Sequence, residues 1–142
     1  MAVLYRRDRY ELVRDFELRT PEEEHRSAAC VDLKSRETGL VYRVVSVHLK
    51  GYDPYETDID VKRRAQVRGD RELSSYISGA LTDLEGVAGV FFLGDFNEDA
   101  IEMEERGETS RQGQLIAEGF AWSEAREVTE VRSGRQIDWI LY

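Results

Sequence analysis

A single cysteine, Cys30, in 142 residues excludes an internal disulfide. No apolar run approaches the roughly 20 residues that span a bilayer. The start, MAVLYRRDRY, is not signal-like and reads as a strand that enters directly. These absences are compatible with a reducing, cytoplasmic setting. There is no internal repeat, low-complexity stretch or linker, so residues 1–142 are expected to form one domain. An excess of basic charge is also missing. Lys and Arg number 20 against 29 Asp and Glu, a net charge of −9, so the overall field does not attract nucleic acid. No aromatic-rich basic stripe suggests single-strand binding, and no basic amphipathic helix suggests a membrane surface.

The composition, 41% apolar and 35% charged, suits a soluble domain with a sizeable core. The charge is uneven. DPYETDID (53–60) and EDAIEMEERGE (98–108) are acidic, whereas KRRAQVRGDR (62–71) carries five basic residues against one acidic. Such a local basic face can still meet a phosphate. A calcium loop beginning at Asp53 is excluded, because its sixth and twelfth positions require Gly and Glu but are Asp58 and Arg64.

Strand formers fill the first third. AVLYRR (2–7) and YELVRDFEL (10–18) read as strands joined by a tight turn at Asp8 and Arg9. RSAACVDLKS (26–35) and the β-branched LVYRVVSVHLK (40–50) follow, the latter fit for a central strand. From about Asp60 the apolar period becomes helical through Leu84, with Asp58 or Asp60 as N-cap. Gly69 interrupts this helix, at a cost of about 1 kcal/mol against Ala, and suggests close packing on a sheet. GVAGVFFLGD (86–95) reads as a buried strand. Helices are predicted at 99–106 and 110–118, the second ending at Gly119. FAWSEA (120–125) and VTEVRSG (128–134) read as strands or loops, and RQIDWILY (135–142) alternates as a last strand, with Ile137, Trp139 and Leu141 on one face. The expected fold is α/β (α+β), with helices packed on a mixed, largely antiparallel sheet.

Polar residues of catalytic type stand at strand ends. His48 closes VVSVHLK, Asp95 and Asn97 follow VFFLG, and Asp138 lies within QIDWIL. The Asp-x-Asn spacing puts both side chains on one face of an extended segment. A carboxylate and an amide aimed at one point can bind a metal ion or orient a water, and a histidine can stabilise or protonate a phosphoryl oxygen. A second aspartate can hold a histidine ring. Taken singly, each has a structural reading: a satisfied strand histidine, a cap or turn aspartate, a buried acid paired with an arginine. Their conjunction and order favour a site.

VVSVHLK, RRAQ, FFLGDFN and RQIDWIL, in that order, resemble the endonuclease/exonuclease/phosphatase (DNase I-like) superfamily. LGDFN is the most specific piece. The resemblance covers most of the chain and implies a layered sandwich incomplete at both ends. The family's leading strands with a metal-binding Glu, and its closing Ser-Asp-His, have no counterpart here. It implies that Asp95 orients or deprotonates the attacking water and contacts a metal ion. Asn97 would hold the phosphate or the nucleophile, and His48 would contact a phosphate oxygen. Asp138 would orient a second histidine, a place that His25, in a polar loop, does not fill by pattern. Arg63 and Gln66 match the family's Arg-x-x-Gln and lie on one helix face, either binding substrate or making a structural hydrogen bond toward the sheet. The implied function is hydrolysis of phosphodiesters or phosphomonoesters with Mg²⁺ or Mn²⁺. The alternative is a non-catalytic scaffold that binds a partner. A second copy or a complementary chain is expected to cover the sheet edges left by AVLYRR and RQIDWILY.

Overall fold

The computed structural model describes residues 1–20, 27–51, 55–98, 109–121 and 138–142, and of 138, 139 and 141 the backbone alone. Alternation in the first strands builds a sheet with one apolar face. β1 (Tyr10–Arg19), β2 (Ser27–Ser35) and β3 (Val41–His48) run antiparallel to their neighbours. β4 (Val87–Asp95) then lies parallel to β3, and β5 (Asp138–Leu141) antiparallel to β4. The described strands form one mixed sheet in the order β1-β2-β3-β4-β5. A parallel pair needs a long crossover, and α1 (Ile59–Ala80) supplies it. Asp58 caps this helix by accepting from the N–H groups of Asp60 at 2.8 Å and Val61 at 3.3 Å. A second helix, α2 (Arg111–Ala117), ends before Gly119, whose φ is +93°.

The apolar face of α1 explains the core. Leu73, Tyr76 and Ile77 are buried with Val45 and Val47 of β3, Phe92 of β4 and Phe96 just beyond it. Phe120 closes the cluster with an edge-to-face contact on Phe92, ring centroids 5.5 Å apart.

A charge also sits in this interior. Arg43 on β3 is 1% exposed. Its Nε and Nη2 donate to the two carboxylate oxygens of buried Asp32 at 2.8 and 2.9 Å. Its Nη1 donates to the carbonyls of Ala80 at 2.9 Å and Thr82 at 2.6 Å. Those carbonyls belong to the end of α1, where helices leave acceptors without partners. The last turn of α1 contains no basic residue, so the cation comes from the sheet. The guanidinium also lies 5.2 Å from the centre of the Phe16 ring. Cys30 is buried on the neighbouring strand, and loss of solvation pushes its thiol pKa up to about 12.

Residues 2–7 do not form the expected strand. The N–H groups of Arg9 and Tyr10 both donate to the Arg6 carbonyl, at 3.0 and 2.9 Å, and Arg6 pairs with Asp8 across the same bend. The Asp8–Arg9 turn therefore leads into β1 instead of joining two strands. β1 is itself the sheet edge. A shift of register between Leu12 and Arg14 and the charges Glu11, Arg14, Asp15 and Glu17 discourage another strand from adding there. On the far side, Ala121 and Tyr142 exchange backbone hydrogen bonds of 2.7 and 2.8 Å. The expected helix at 99–106 and the segment 128–134 lie outside the described residues, as does most of FAWSEA.

Candidate functional site

The parallel pairing of β3 and β4 decides where the polar residues meet. His48 is the register partner of Asp95, so both strands finish level, carboxyl ends together. Val45, Val47 and Phe92 point into the core beneath α1. Alternation puts His48 and Asp95 on the opposite face. The antiparallel register of β5 sets the backbone of Asp138 opposite Asp95. Three polar residues thus occupy one row across three strands. The crevice outside the carboxyl ends of parallel strands is a common ligand position in α/β sheets.

The His48 Nε2 lies 3.8 Å from the Asp95 Oδ2. The imidazole side chain is 57% exposed and the carboxylate 27%, so both can reach a ligand from solvent. The other carboxylate oxygen, Oδ1, accepts the backbone N–H of Asn97 at 2.7 Å. Asn97 does not continue the strand as its spacing suggests. Its φ is +52°, in the left-handed region that Asn tolerates better than most residues. The turn arises because the Asp95 side chain captures an N–H two residues on. Asn97 Nδ2 then reaches back to the Leu49 carbonyl at 2.9 Å, while the Leu49 N–H donates to the Asp95 carbonyl at 2.9 Å. Asp95 and Asn97 come together through a turn latched onto the end of β3.

Two glycines make room for the latch. Gly94 has a φ of +127°, and a Cβ there would overlap the Val47 carbonyl. A Cβ on Gly51 would stand 2.6 Å from the Asn97 side chain.

Behind the turn is a residue that sequence reading overlooked. Arg111, at the start of α2, is 1% exposed. Its Nη1 donates to the Phe96 carbonyl and its backbone N–H to the Glu98 carboxylate. Its Nε donates to Asp70 Oδ1 at 3.0 Å and its Nη2 to the Gln66 carbonyl at 3.1 Å. The only sequence signal was Gly69. A Cβ there would overlap the Arg111 guanidinium and crowd the Lys50 carbonyl at 2.5 Å. Gly69 thus accommodates an arginine and the Lys50 carbonyl just beyond β3. Replacing Gly69 by Ala is expected to destabilise the protein by about 1–3 kcal/mol through overpacking, although helix propensity alone favours Ala by about 1 kcal/mol. A urea midpoint that rises in Gly69→Ala would refute the close approach.

Arg63 is exposed on α1, and Gln66 is half-buried one turn further on. His25 lies outside the described residues. A groove of about 400 Å³ between α1 and α2, lined in part by Ile77, Leu81, Gly113 and Ala117, contains none of the predicted site residues. Among the described residues no three His, Cys, Asp or Glu side chains converge on one point. Among the described side chains, the donors at the strand ends are one carboxylate and one imidazole. Such a set does not enclose a metal ion. It fits Mg²⁺, which is commonly bound by one or two carboxylates together with substrate phosphates and water.

No protein-family model matches the chain, and no curated protein matches it. Solved structures do. An endonuclease/exonuclease/phosphatase family protein from Bacteroides thetaiotaomicron superposes with a TM-score of 0.62 at 16% identity, over 96% of this chain and 52% of that one. A mannosyl-6-phosphatase from the same organism gives 0.61 at 17% identity, over 96% and 54%. The human nocturnin catalytic domain, with a bound sulfate anion, gives 0.59 at 16% identity, over 96% and 49%. The chain spans about half the length of these structures and, over that span, shares their DNase I-like fold.

Proposed function

We propose that this chain carries the central part of a metal-dependent phosphoesterase site that hydrolyses phosphodiester or phosphomonoester bonds by attack of water. The observation that carries this reading is the level register of His48 and Asp95 at the carboxyl ends of parallel strands, with Asn97 latched beside them. The fold shared with a phosphatase supports it. Asp95 would orient a water through the carboxylate edge that faces His48, because its other oxygen already holds the Asn97 N–H. The His48 ring can donate to a phosphate oxygen and offset charge that builds there. Asn97 spends one of its two side-chain N–H donors on Leu49, which fixes the amide for a phosphate or the nucleophile. Asp138, level with Asp95, is the residue to orient a further histidine. Arg63 and Gln66 are the substrate-side candidates on α1. Mg²⁺ or Mn²⁺, held by Asp95 and the substrate, would supply Lewis-acid polarisation of the phosphoryl group.

A second reading rests on a specific observation: the chain matches only about half of each structure reported above. On that reading it is a non-catalytic scaffold whose partner, a second copy or a complementary chain, covers exposed apolar positions such as Leu12, Val13 and Ile140. One assay separates the two. Plasmid DNA and bis(p-nitrophenyl) phosphate are incubated with the chain in Mg²⁺, in Mn²⁺ and in excess chelator. Metal-dependent turnover that chelation abolishes supports the first reading. Absence of turnover on both substrates in either metal refutes it for this chain.

A further inference from the structure

We infer that Arg111 is a positioning residue for the candidate site: its guanidinium sets the turn that presents Asp95 and Asn97 relative to the end of β3 that presents His48. The inference rests on the phosphoesterase reading for its catalytic consequence, and on geometry alone for its structural part.

The turn Asp95–Phe96–Asn97–Glu98 leaves the sheet at the level of His48. On the strand side, Leu49 donates to the Asp95 carbonyl and accepts from the Asn97 amide. Arg111 supplies the opposing contacts. Its guanidinium donates to the carbonyl of Phe96, the residue between Asp95 and Asn97, and its backbone N–H donates to the carboxylate of Glu98 immediately beyond. The same guanidinium is anchored to α1 at Gln66 and Asp70. The β3 end is referred to the same stretch of helix, because the Lys50 N–H donates to buried Glu72 at 2.7 Å. Both halves of the site are therefore suspended from residues 66–72 of α1, one through Glu72 and one through Arg111.

The planar guanidinium suits this task and an ammonium does not. Three bonds leave it in fixed directions, toward Phe96, Asp70 and Gln66. Its charge is offset by Asp70 at 3.0 Å and by Glu98 at 3.9 Å. Loss of the side chain leaves the Phe96 carbonyl without that donor in a buried setting. Arg111 touches neither His48 nor the Asp95 carboxylate in any contact described above, so it acts through the main chain.

The test uses the full chain and the variants Arg111→Met, Arg111→Lys and Asp70→Ala. Amide hydrogen exchange is followed at Leu49 and Asn97, with Val45 and Leu73 as core references, and hydrolysis of bis(p-nitrophenyl) phosphate is measured in Mn²⁺. Arg111→Met is expected to speed exchange at Leu49 and Asn97 about tenfold or more through local opening, with Val45 and Leu73 unchanged. It lowers kcat about 100-fold, the usual penalty for displacement near 1 Å, with KM within about twofold. Arg111→Lys recovers part of the kcat and of the protection. If Arg111→Met does not fold, Asp70→Ala, which removes one partly exposed anchor, is read in the same way with smaller effects. Unchanged exchange at Leu49 and Asn97, or equal acceleration at all four amides, would overturn the proposal. If the wild-type chain hydrolyses nothing, the phosphoesterase reading fails, while the exchange pattern still decides whether Arg111 sets the turn.

Discussion

Asp95→Asn is expected to lower metal-dependent hydrolysis by about 10⁴-fold or more, the scale seen when one member of a catalytic unit is lost, with little change in melting temperature. The separation of activity from stability follows from the two oxygens of this side chain. Oδ1 holds the Asn97 N–H at 2.7 Å, a bond that an asparagine oxygen can also accept. Oδ2 faces His48 at 3.8 Å in a partly open position, and there the substitution exchanges a charged acceptor for an amide donor. The turn keeps its latch while the site loses its anion, the group that would contact a metal ion and take a proton from water. Thermal unfolding and initial rates measured on the same preparation check the prediction. A variant that melts more than about 10 °C early, a shift on the order of 3 kcal/mol for a domain of this size, would make Asp95 a structural residue. A variant that retains activity would remove it from the chemistry.

Arg43→Met is expected to cost about 3–5 kcal/mol, the usual penalty for stranding one partner of a buried ion pair. Domains carry only about 5–15 kcal/mol in total, so this one change brings the protein near its unfolding threshold. The loss has two parts. Asp32 is left charged in the interior, and the Ala80 and Thr82 carbonyls lose the donor that ends α1. The double variant Arg43→Met, Asp32→Leu removes the stranded charge and should recover much of the loss, leaving the helix end uncapped at about 1 kcal/mol for each hydrogen bond. Denaturant midpoints of the single and double variants decide the matter. A double variant no more stable than Arg43→Met would show that the helix end, not the stranded charge, dominates.

These two residues differ in how openly the sequence declares them. Asp95 sits in LGDFN, a local pattern in which an apolar strand gives way to a glycine and two polar residues, and such a break can be read without any fold. Arg43 sits in VYRVVSVH, where alternation alone marks it as inward-facing. An inward-facing arginine has meaning only once Asp32 across the strand pair and the end of α1, 37 residues away, are known. Arg111 was still less legible. Its partners lie 13 to 45 residues away on two segments, and no periodicity links them.

The strand at AVLYRR fails for a related reason. Its residues have strand propensity, but a strand forms only where a neighbour offers an edge, and the edge of β1 is broken by a shift of register and lined with charge. The Asp-x-Asn spacing misled in the same way: local geometry predicts two side chains on one face, whereas the Asp95 carboxylate bends the chain first and puts Asn97 at a φ of +52°.

Periodicity and turn chemistry, both local, were enough to find β2, β3, α1, β4 and α2 and to single out His48, Asp95, Asn97 and Asp138, because hydrophobic alternation and capping act over a few residues. The parallel register that sets His48 level with Asp95, the latch through Leu49, and the suspension of both from α1 by Glu72 and Arg111 were decided by tertiary structure alone. Each depends on hydrogen-bond partners far apart in the chain, and such partners are fixed only when α1 crosses over and closes against the sheet.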